Sequence, residues 1–141
     1  MRSSVTAGRA RRTLRAGLVA LVLVAGPAAA GAMTVYKTAS CGCCKDWVEH
    51  VRAAGFEVEA RDVSRAQLIE HKKRLGVDPR MASCHTAVID GYVVEGHVPA
   101  ADIGRMLEES PEIAGIGVPG MPVGSPGMEV GDRTEPYTVI A

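Results

Sequence analysis

Features that would mark several common protein classes are scarce in this sequence of 141 residues. Aromatic side chains make up only 4% of the chain, and sixteen acidic residues balance sixteen basic ones, so the formal net charge at pH 7 is zero. Nucleic-acid-binding domains usually carry a clear excess of positive charge, which is missing here. The strongest apolar run, residues 18–26, is far shorter than the roughly 20 residues that span a bilayer. The composition therefore argues against nucleic acid as a partner and against a membrane-spanning transporter.

The first 32 residues have the pattern of a secretory signal peptide. Five arginines and no acidic residue precede the short apolar run, and small residues after it offer cleavage sites before Gly31 or Met33. The adjacent Arg11 and Arg12 loosely fit a twin-arginine signal, but we favour the ordinary Sec route. A retained N-terminal anchor is the remaining alternative. We therefore expect an exported protein with no membrane span after cleavage.

Removal of residues 1–32 would leave one small domain with an acidic balance. The remaining 109 residues hold eleven basic and sixteen acidic side chains, a net charge of −5 with histidine neutral. This charge again disfavours nucleic acid as a partner. Because export leads to an oxidising compartment, we expect the four cysteines of the chain to pair unless a metal protects them.

The order of predicted elements indicates an α/β protein. Alternating and helical apolar patterns, together with the Asp90-Gly91 hairpin signal, predict the order βαβ-α-ββα over residues 33–112. This order matches a thioredoxin-like fold, with a small mixed sheet and flanking helices. Residues 113–141, here called the C-terminal arm, are rich in Gly and Pro and contain methionines. We expect the arm to be irregular and to pack on the same domain.

All four cysteines are expected to meet at one point of this fold. Residues 41–44, with the sequence CGCC, lie on the turn from the first strand into the first helix. Cys84 lies in the loop before the third strand, and that loop packs against the same helix end in a thioredoxin-like topology. A cis-proline usually occupies that position, but this sequence has Cys84, His85 and Thr86 there. Topology thus brings together cysteines that are forty residues apart.

Convergent thiols can hold a metal or act as a redox pair. Zinc and a [2Fe–2S] cluster both take four cysteines, the latter in an electron carrier. However, adjacent Cys43 and Cys44 suit sulfurs that bridge different ions, and soft copper(I) shares bridging thiolates readily. We favour a multinuclear copper(I)–thiolate site. The alternative is a Cys41–Cys44 disulfide with Cys43 and Cys84 paired or free, which would suit a thiol-disulfide or copper oxidoreductase.

Four motifs resemble those of the CopG-type periplasmic copper-resistance proteins, an exported family long catalogued as a domain of unknown function. They are KTASCGCCKDW at 37–47, MASCHTAV at 81–88, GYVVEGHVPA at 91–100 and GMPVGSPGME at 120–129. The resemblance covers nearly all of the chain after residue 33. It implies a thioredoxin-like fold, periplasmic copper handling for copper resistance, and copper ligation by Cys41, Cys43, Cys44 and Cys84. Copper ions and other periplasmic copper-handling proteins are the implied partners.

Three further side chains are candidate ligands or supports of the site. Met121 and Met128 lie in the C-terminal arm, and a thioether binds copper(I) without forming a disulfide. His85 adjoins Cys84 and can contact the site only if the loop kinks. His97 is expected to make only a structural hydrogen bond. We favour a metal-binding protein over an enzyme and leave a copper-linked oxidoreductase activity open.

Overall fold

The computed structural model describes residues 31–141. Nearly all of the predicted signal peptide, residues 1–30, lies outside this described part of the chain. The described elements are β1 (Met33–Lys37), α1 (Gly42–Ala53), β2 (Val58–Asp62), α2 (Arg65–Arg74), β3 (Thr86–Ile89), β4 (Tyr92–Glu95), α3 (Ala100–Glu109) and β5 (Gly115–Gly117). No helix among the described residues is long and apolar enough to cross a membrane.

The strands form one mixed sheet in the order β2-β1-β3-β4-β5. β1 pairs in parallel with β2 and antiparallel with β3, and β3 and β4 form the hairpin around Asp90 and Gly91. Asp90 and Gly91 both have positive φ, as the tight turn of such a hairpin requires. The predicted α/β class and the order of the first seven elements are confirmed.

The fifth strand was not expected, because the C-terminal arm was predicted to be irregular. Gly115–Gly117 pairs in parallel with β4. Two of its three residues are glycines, which are depleted in strands, and its backbone passes so close to Val93 that a side chain at Gly115 would collide with it. Ile140 then bridges to Gly117, so the end of the chain also returns to this edge of the sheet.

The helices α1 and α2 are stabilised by hydrogen-bonded N-caps and by apolar faces packed against the sheet. Trp47, Val48 and Val51 of α1 are buried in the core against the sheet. α2 begins with a capping box, in which Ser64 and Gln67 exchange side-chain and backbone hydrogen bonds. α1 has no serine or aspartate at its start; Cys41 is its N-cap, and the Cys41 sulfur accepts a hydrogen bond from the Cys44 backbone N–H at 3.3 Å. The first turn of α1 is therefore built around sulfur.

The middle of the C-terminal arm lies against the first turn of α1. Gly127 has φ +82°, and a Cβ there would lie 2.7 Å from both the Cys43 carbonyl oxygen and the Trp47 backbone nitrogen. Ser125 and Pro126 are buried. The arm therefore closes one side of the region that contains the cysteines.

We expect Gly127→Ala to lower the free energy of unfolding by about 1–2 kcal/mol or more, because an L-residue is strained at positive φ and the new methyl collides with α1. Gly131→Ala is the matched control, since Gly131 also has positive φ but its Cβ would meet nothing within 4 Å. Urea unfolding of both variants measures the difference. Equal losses in the two variants would show that the arm does not press on α1.

Candidate metal centre

The four cysteine sulfurs form one cluster between the start of α1 and the loop before β3. All four lie within 4.8 Å of one another. The Cys43 sulfur is 3.5 Å from that of Cys41 and 3.8 Å from that of Cys84. Cys44 is buried and directs its sulfur towards the Cys84 carbonyl oxygen at 3.6 Å. The structure thus brings together the four cysteines that the sequence analysis selected.

Two of these cysteines are oxidised in the structure. Cys41 and Cys44 form a disulfide, and Cys43 and Cys84 are free thiols. This is the pairing that the sequence analysis gave as the alternative to four thiolates. The helical first turn places Cys41 and Cys44 three residues apart on one side of α1, and the Cys43 sulfur lies beside this disulfide, 3.5 Å from the Cys41 sulfur. Reduction of this disulfide by two electrons is required before all four sulfurs can bind a metal ion as thiolates.

Cys84 is the sulfur that connects α1 with the rest of the fold. It is the only cysteine outside the CGCC segment, and it lies beside Cys43 and His97. Burial, followed by the proximity of Cys43, raises the pKa of the Cys84 thiol to about 12. The thiol is therefore protonated at neutral pH without a metal. Any metal ion that binds there must displace this proton.

His97 also belongs to this cluster, which the sequence analysis missed. Its Nδ1–H donates to the Pro126 carbonyl oxygen at 2.8 Å, so its Nε2 carries a lone pair and faces the Cys84 sulfur at 3.0 Å. Burial lowers the pKa of His97, which favours the neutral ring. A neutral imidazole oriented by a backbone carbonyl is the usual form of a histidine metal ligand.

A signal for His97 was present in the hairpin. Thr86 pairs with Glu95 in the register of β3 and β4. Cys84 lies two residues before the start of β3, and His97 lies two residues after the end of β4. The same register therefore places Cys84 opposite His97. The Asp90-Gly91 turn could therefore have indicated this pair, whereas the local sequence around His97 could not.

His85 lies on the inner side of the cluster. Its Nδ1 is 3.4 Å from the Cys84 sulfur, and its ring packs on Trp47 at 4.3 Å between centroids. Among the described residues its buried Nε2 has no hydrogen-bond partner. Burial lowers the pKa of His85 well below the usual value, so the ring is neutral at pH 7. Trp47 is itself fixed by a 2.8 Å hydrogen bond to the Val98 carbonyl oxygen, and both rings are fully buried.

The two candidate methionines of the C-terminal arm differ in position. A surface cavity of about 490 Å³ opens beside the cluster, and its wall includes Cys41, Cys84 and Met121. Met121 is 51% exposed, so its thioether is at the mouth of this cavity. Met128 is half-buried and does not line the cavity. Of these two methionines, only Met121 lines the cavity beside the sulfurs.

Fold and site together define a class of protein. The chain is a small mixed α/β protein with four sulfurs and two imidazoles clustered at the start of a helix. Such a donor set suits a soft metal ion, and two of the sulfurs, those of Cys41 and Cys44, form a disulfide.

Comparisons with known proteins identify the family. Residues 81–128 match the family model described as "Protein of unknown function, DUF411". The solved structure described as "Copper resistance protein copG- Form 2" is 56% identical in sequence, with a TM-score of 0.71, and the match covers 77% of this chain and 85% of that one. The structure described as Form 1 is 55% identical, with a TM-score of 0.70, and the match covers 77% and 84%. No curated protein matches. The chain belongs to the CopG copper-resistance protein family.

Proposed function

We propose that this chain is a periplasmic copper(I)-binding protein of copper resistance. The observation that carries this proposal is the convergence of four cysteine sulfurs within 4.8 Å of one another. Similarity to copper-resistance proteins supports copper as the cargo. Cys41, Cys43, Cys44 and Cys84 are the proposed ligands once the disulfide is reduced.

The adjacency of Cys43 and Cys44 in the sequence supports copper(I) over zinc. A single tetrahedral ion needs four donors directed at one point, and the side chains of two neighbouring residues leave the backbone in different directions. Copper(I) accepts few ligands and shares thiolates between ions. A multinuclear copper(I)–thiolate site is therefore the arrangement that we propose.

Residues outside the cysteine cluster have separate proposed roles. His97 supplies a nitrogen ligand next to Cys84, and His85 is a second buried imidazole on that side. Met121 provides a thioether at the mouth of the cavity, where it can receive copper(I) before the cysteines do. For Met128, half-buried outside the cavity, we propose packing of the C-terminal arm.

The proposed location and partners follow from the sequence pattern. Residues 1–32 would act as a Sec signal peptide, and residues 33–112 with the C-terminal arm would form the exported domain. Other periplasmic copper-handling proteins would deliver or accept the ions. A net charge of −5 after cleavage gives no basis for nucleic-acid binding.

Fractionation of copper-grown cells tests the cargo and the location together. We expect the full-length gene product to be recovered from the periplasmic fraction, with copper as its main metal by elemental analysis. Recovery with iron and visible absorbance would instead support the iron–sulfur carrier. Recovery without metal, or only from the cytoplasm, would contradict the proposal.

We expect His97→Ala to weaken copper(I) binding by about 10–100-fold, because the variant removes the nitrogen donor beside Cys84. His71→Ala is the control, since His71 stacks on Tyr36 away from the sulfurs. Competition with a copper(I) chelator gives both affinities. If folded His97→Ala binds copper(I) with unchanged affinity, His97 is not a ligand and has only a structural role.

The disulfide favours a second candidate function, a copper or thiol-disulfide oxidoreductase. Oxidation of the Cys41 and Cys44 thiols to the disulfide releases two electrons and two protons, which balances the reduction of two Cu(II) ions to Cu(I). Cys41 is the more exposed of the pair and would be the attacking thiol in exchange with another disulfide. Turnover of Cu(II) by the reduced protein, with one disulfide formed for two ions reduced, would establish this candidate.

A further inference from the structure

A buried ion pair lies directly behind the Cys84 loop. Lys72 of α2 and Glu95 of β4 approach to 2.5 Å, and their side chains are only 12% and 4% exposed. The two residues are 23 positions apart in the chain, so only the folded structure reveals this pair.

The ion pair holds the backbone on both sides of Cys84. Glu95 accepts hydrogen bonds from the Ser83 backbone N–H and from the Thr86 hydroxyl, each at 2.6 Å. Lys72 donates to the His85 carbonyl oxygen at 3.3 Å and contacts the Thr86 hydroxyl at 2.7 Å. The residues before and after Cys84 are therefore fixed by one carboxylate and one ammonium group.

The loop depends on this support because it has few other means of holding its shape. It contains no proline between Ser83 and Thr86, and the described residues contain no cis peptide bond. Gly96 lets the loop approach, since a Cβ there would lie 2.6 Å from the Ser83 Cβ. A buried ion pair contributes little net stability compared with well-packed apolar residues of the same volume. Its role at this place is better explained by the geometry that it imposes.

We propose that Lys72 and Glu95 are positioning residues that hold the Cys84 sulfur against Cys43 and His97. This proposal rests on the proposed function for its purpose, namely a preformed copper(I) site. Without the ion pair, Cys84 would leave the cluster for part of the time. A metal ion would then have to order the loop when it binds.

The test removes both charges together, because one buried charge without its partner can unfold a protein. Lys72→Met with Glu95→Leu deletes the ion pair and the acceptors of the Ser83 N–H and the Thr86 hydroxyl. Lys72→Met with Glu95→Gln is the conservative partner, since the amide can still accept from Ser83 and donate to Thr86. Lys73→Met with Glu70→Gln, an exposed ion pair on α2, is the surface control.

The first readout needs no copper. In a Cys43→Ser background with the Cys41–Cys44 disulfide intact, Cys84 is the only free thiol, and its alkylation rate by iodoacetamide at fixed pH reports its accessibility. We expect the Lys72→Met/Glu95→Leu variant (the Met/Leu pair) to raise this rate at least about tenfold, since the loop loses the hydrogen bonds that hold it. The Met/Gln pair should recover most of the native rate, and the surface control should not change it.

The second readout is copper(I) affinity with all four cysteines present. We expect the Met/Leu pair to bind about tenfold more weakly, with the Met/Gln pair close to the wild type. If the Met/Leu pair does not fold, Thr86→Val removes the hydroxyl that donates to Glu95 and accepts from Lys72, without a charge change, and we expect it to raise the alkylation rate about threefold. The melting temperature of each variant is measured beside these values.

Alkylation rates and affinities that stay unchanged in folded variants would overturn the positioning role, whatever happens to the melting temperature. A failure of the Gln variant to restore them would also overturn it, because the effect would then be a general loss of packing. If the wild type binds no copper(I), the proposed function fails, but the alkylation rates still decide the role of Lys72 and Glu95.

Discussion

Replacing Cys84 with serine is expected to remove most of the copper(I) that the reduced protein binds. Cys84 is the only cysteine sulfur supplied from outside the CGCC segment, and its sulfur lies 3.8 Å from that of Cys43 and 3.0 Å from the His97 Nε2. Serine keeps the size of the side chain but is a poor donor to a soft ion. We expect at least about half of the bound copper to be lost, because bridged ions share the missing sulfur. Elemental analysis after anaerobic loading measures this loss.

The fold of Cys84→Ser must be checked in parallel. Cys84 is half-buried and is not part of the disulfide, so we expect the melting temperature to change by only a few degrees, about the shift caused by 1 kcal/mol or less. The Cys41–Cys44 disulfide should still form in air. A variant that folds, forms this disulfide and binds the wild-type amount of copper would defeat the four-sulfur site.

Replacing Cys43 with serine is expected to separate the two candidate functions. Cys43 lies between the Cys41 and Cys84 sulfurs but belongs to no disulfide. Dithiol exchange needs only Cys41 and Cys44, so insulin reduction by Cys43→Ser should remain within about twofold of the wild-type rate. Copper per chain should fall to at most about half, since a bridging thiolate is missing.

Cys44→Ser provides the opposite control. This variant cannot form the Cys41–Cys44 disulfide, so dithiol exchange should be abolished. Copper binding should fall in both variants if all four sulfurs are ligands. One result would support a dithiol enzyme in place of a thiolate cluster. In that result Cys43→Ser binds as much copper as the wild type, while Cys44→Ser loses both copper binding and dithiol exchange.

Most of the fold could be predicted because its signals are local. Alternation in β1, helical spacing of Trp47, Val48 and Val51 in α1, and the Asp90-Gly91 turn each depend on neighbouring residues. β5 could not be predicted in this way, because a glycine strand is defined by the edge of β4 that it meets. The place of Cys84 followed from topology once the element order was known.

The parts of the site that escaped prediction depend on contacts distant in the sequence or on chemical state. His97 faces Cys84 through the hairpin register, and Pro126 of the C-terminal arm selects its tautomer from 29 residues away. The Lys72–Glu95 ion pair joins two elements that no sequence pattern links. Whether Cys41 and Cys44 are thiols or a disulfide depends on the electron donors of the compartment, since sequence fixes only their spacing.

The most direct measurement is anaerobic titration of the fully reduced domain, residues 33–141, with copper(I). Metal per chain by elemental analysis is read beside a count of free thiols. We expect more than one copper ion per chain with all four thiols protected, as thiolate bridging requires. Absence of bound copper, with the Cys41–Cys44 disulfide returning on exposure to air, would contradict a copper(I)–thiolate site.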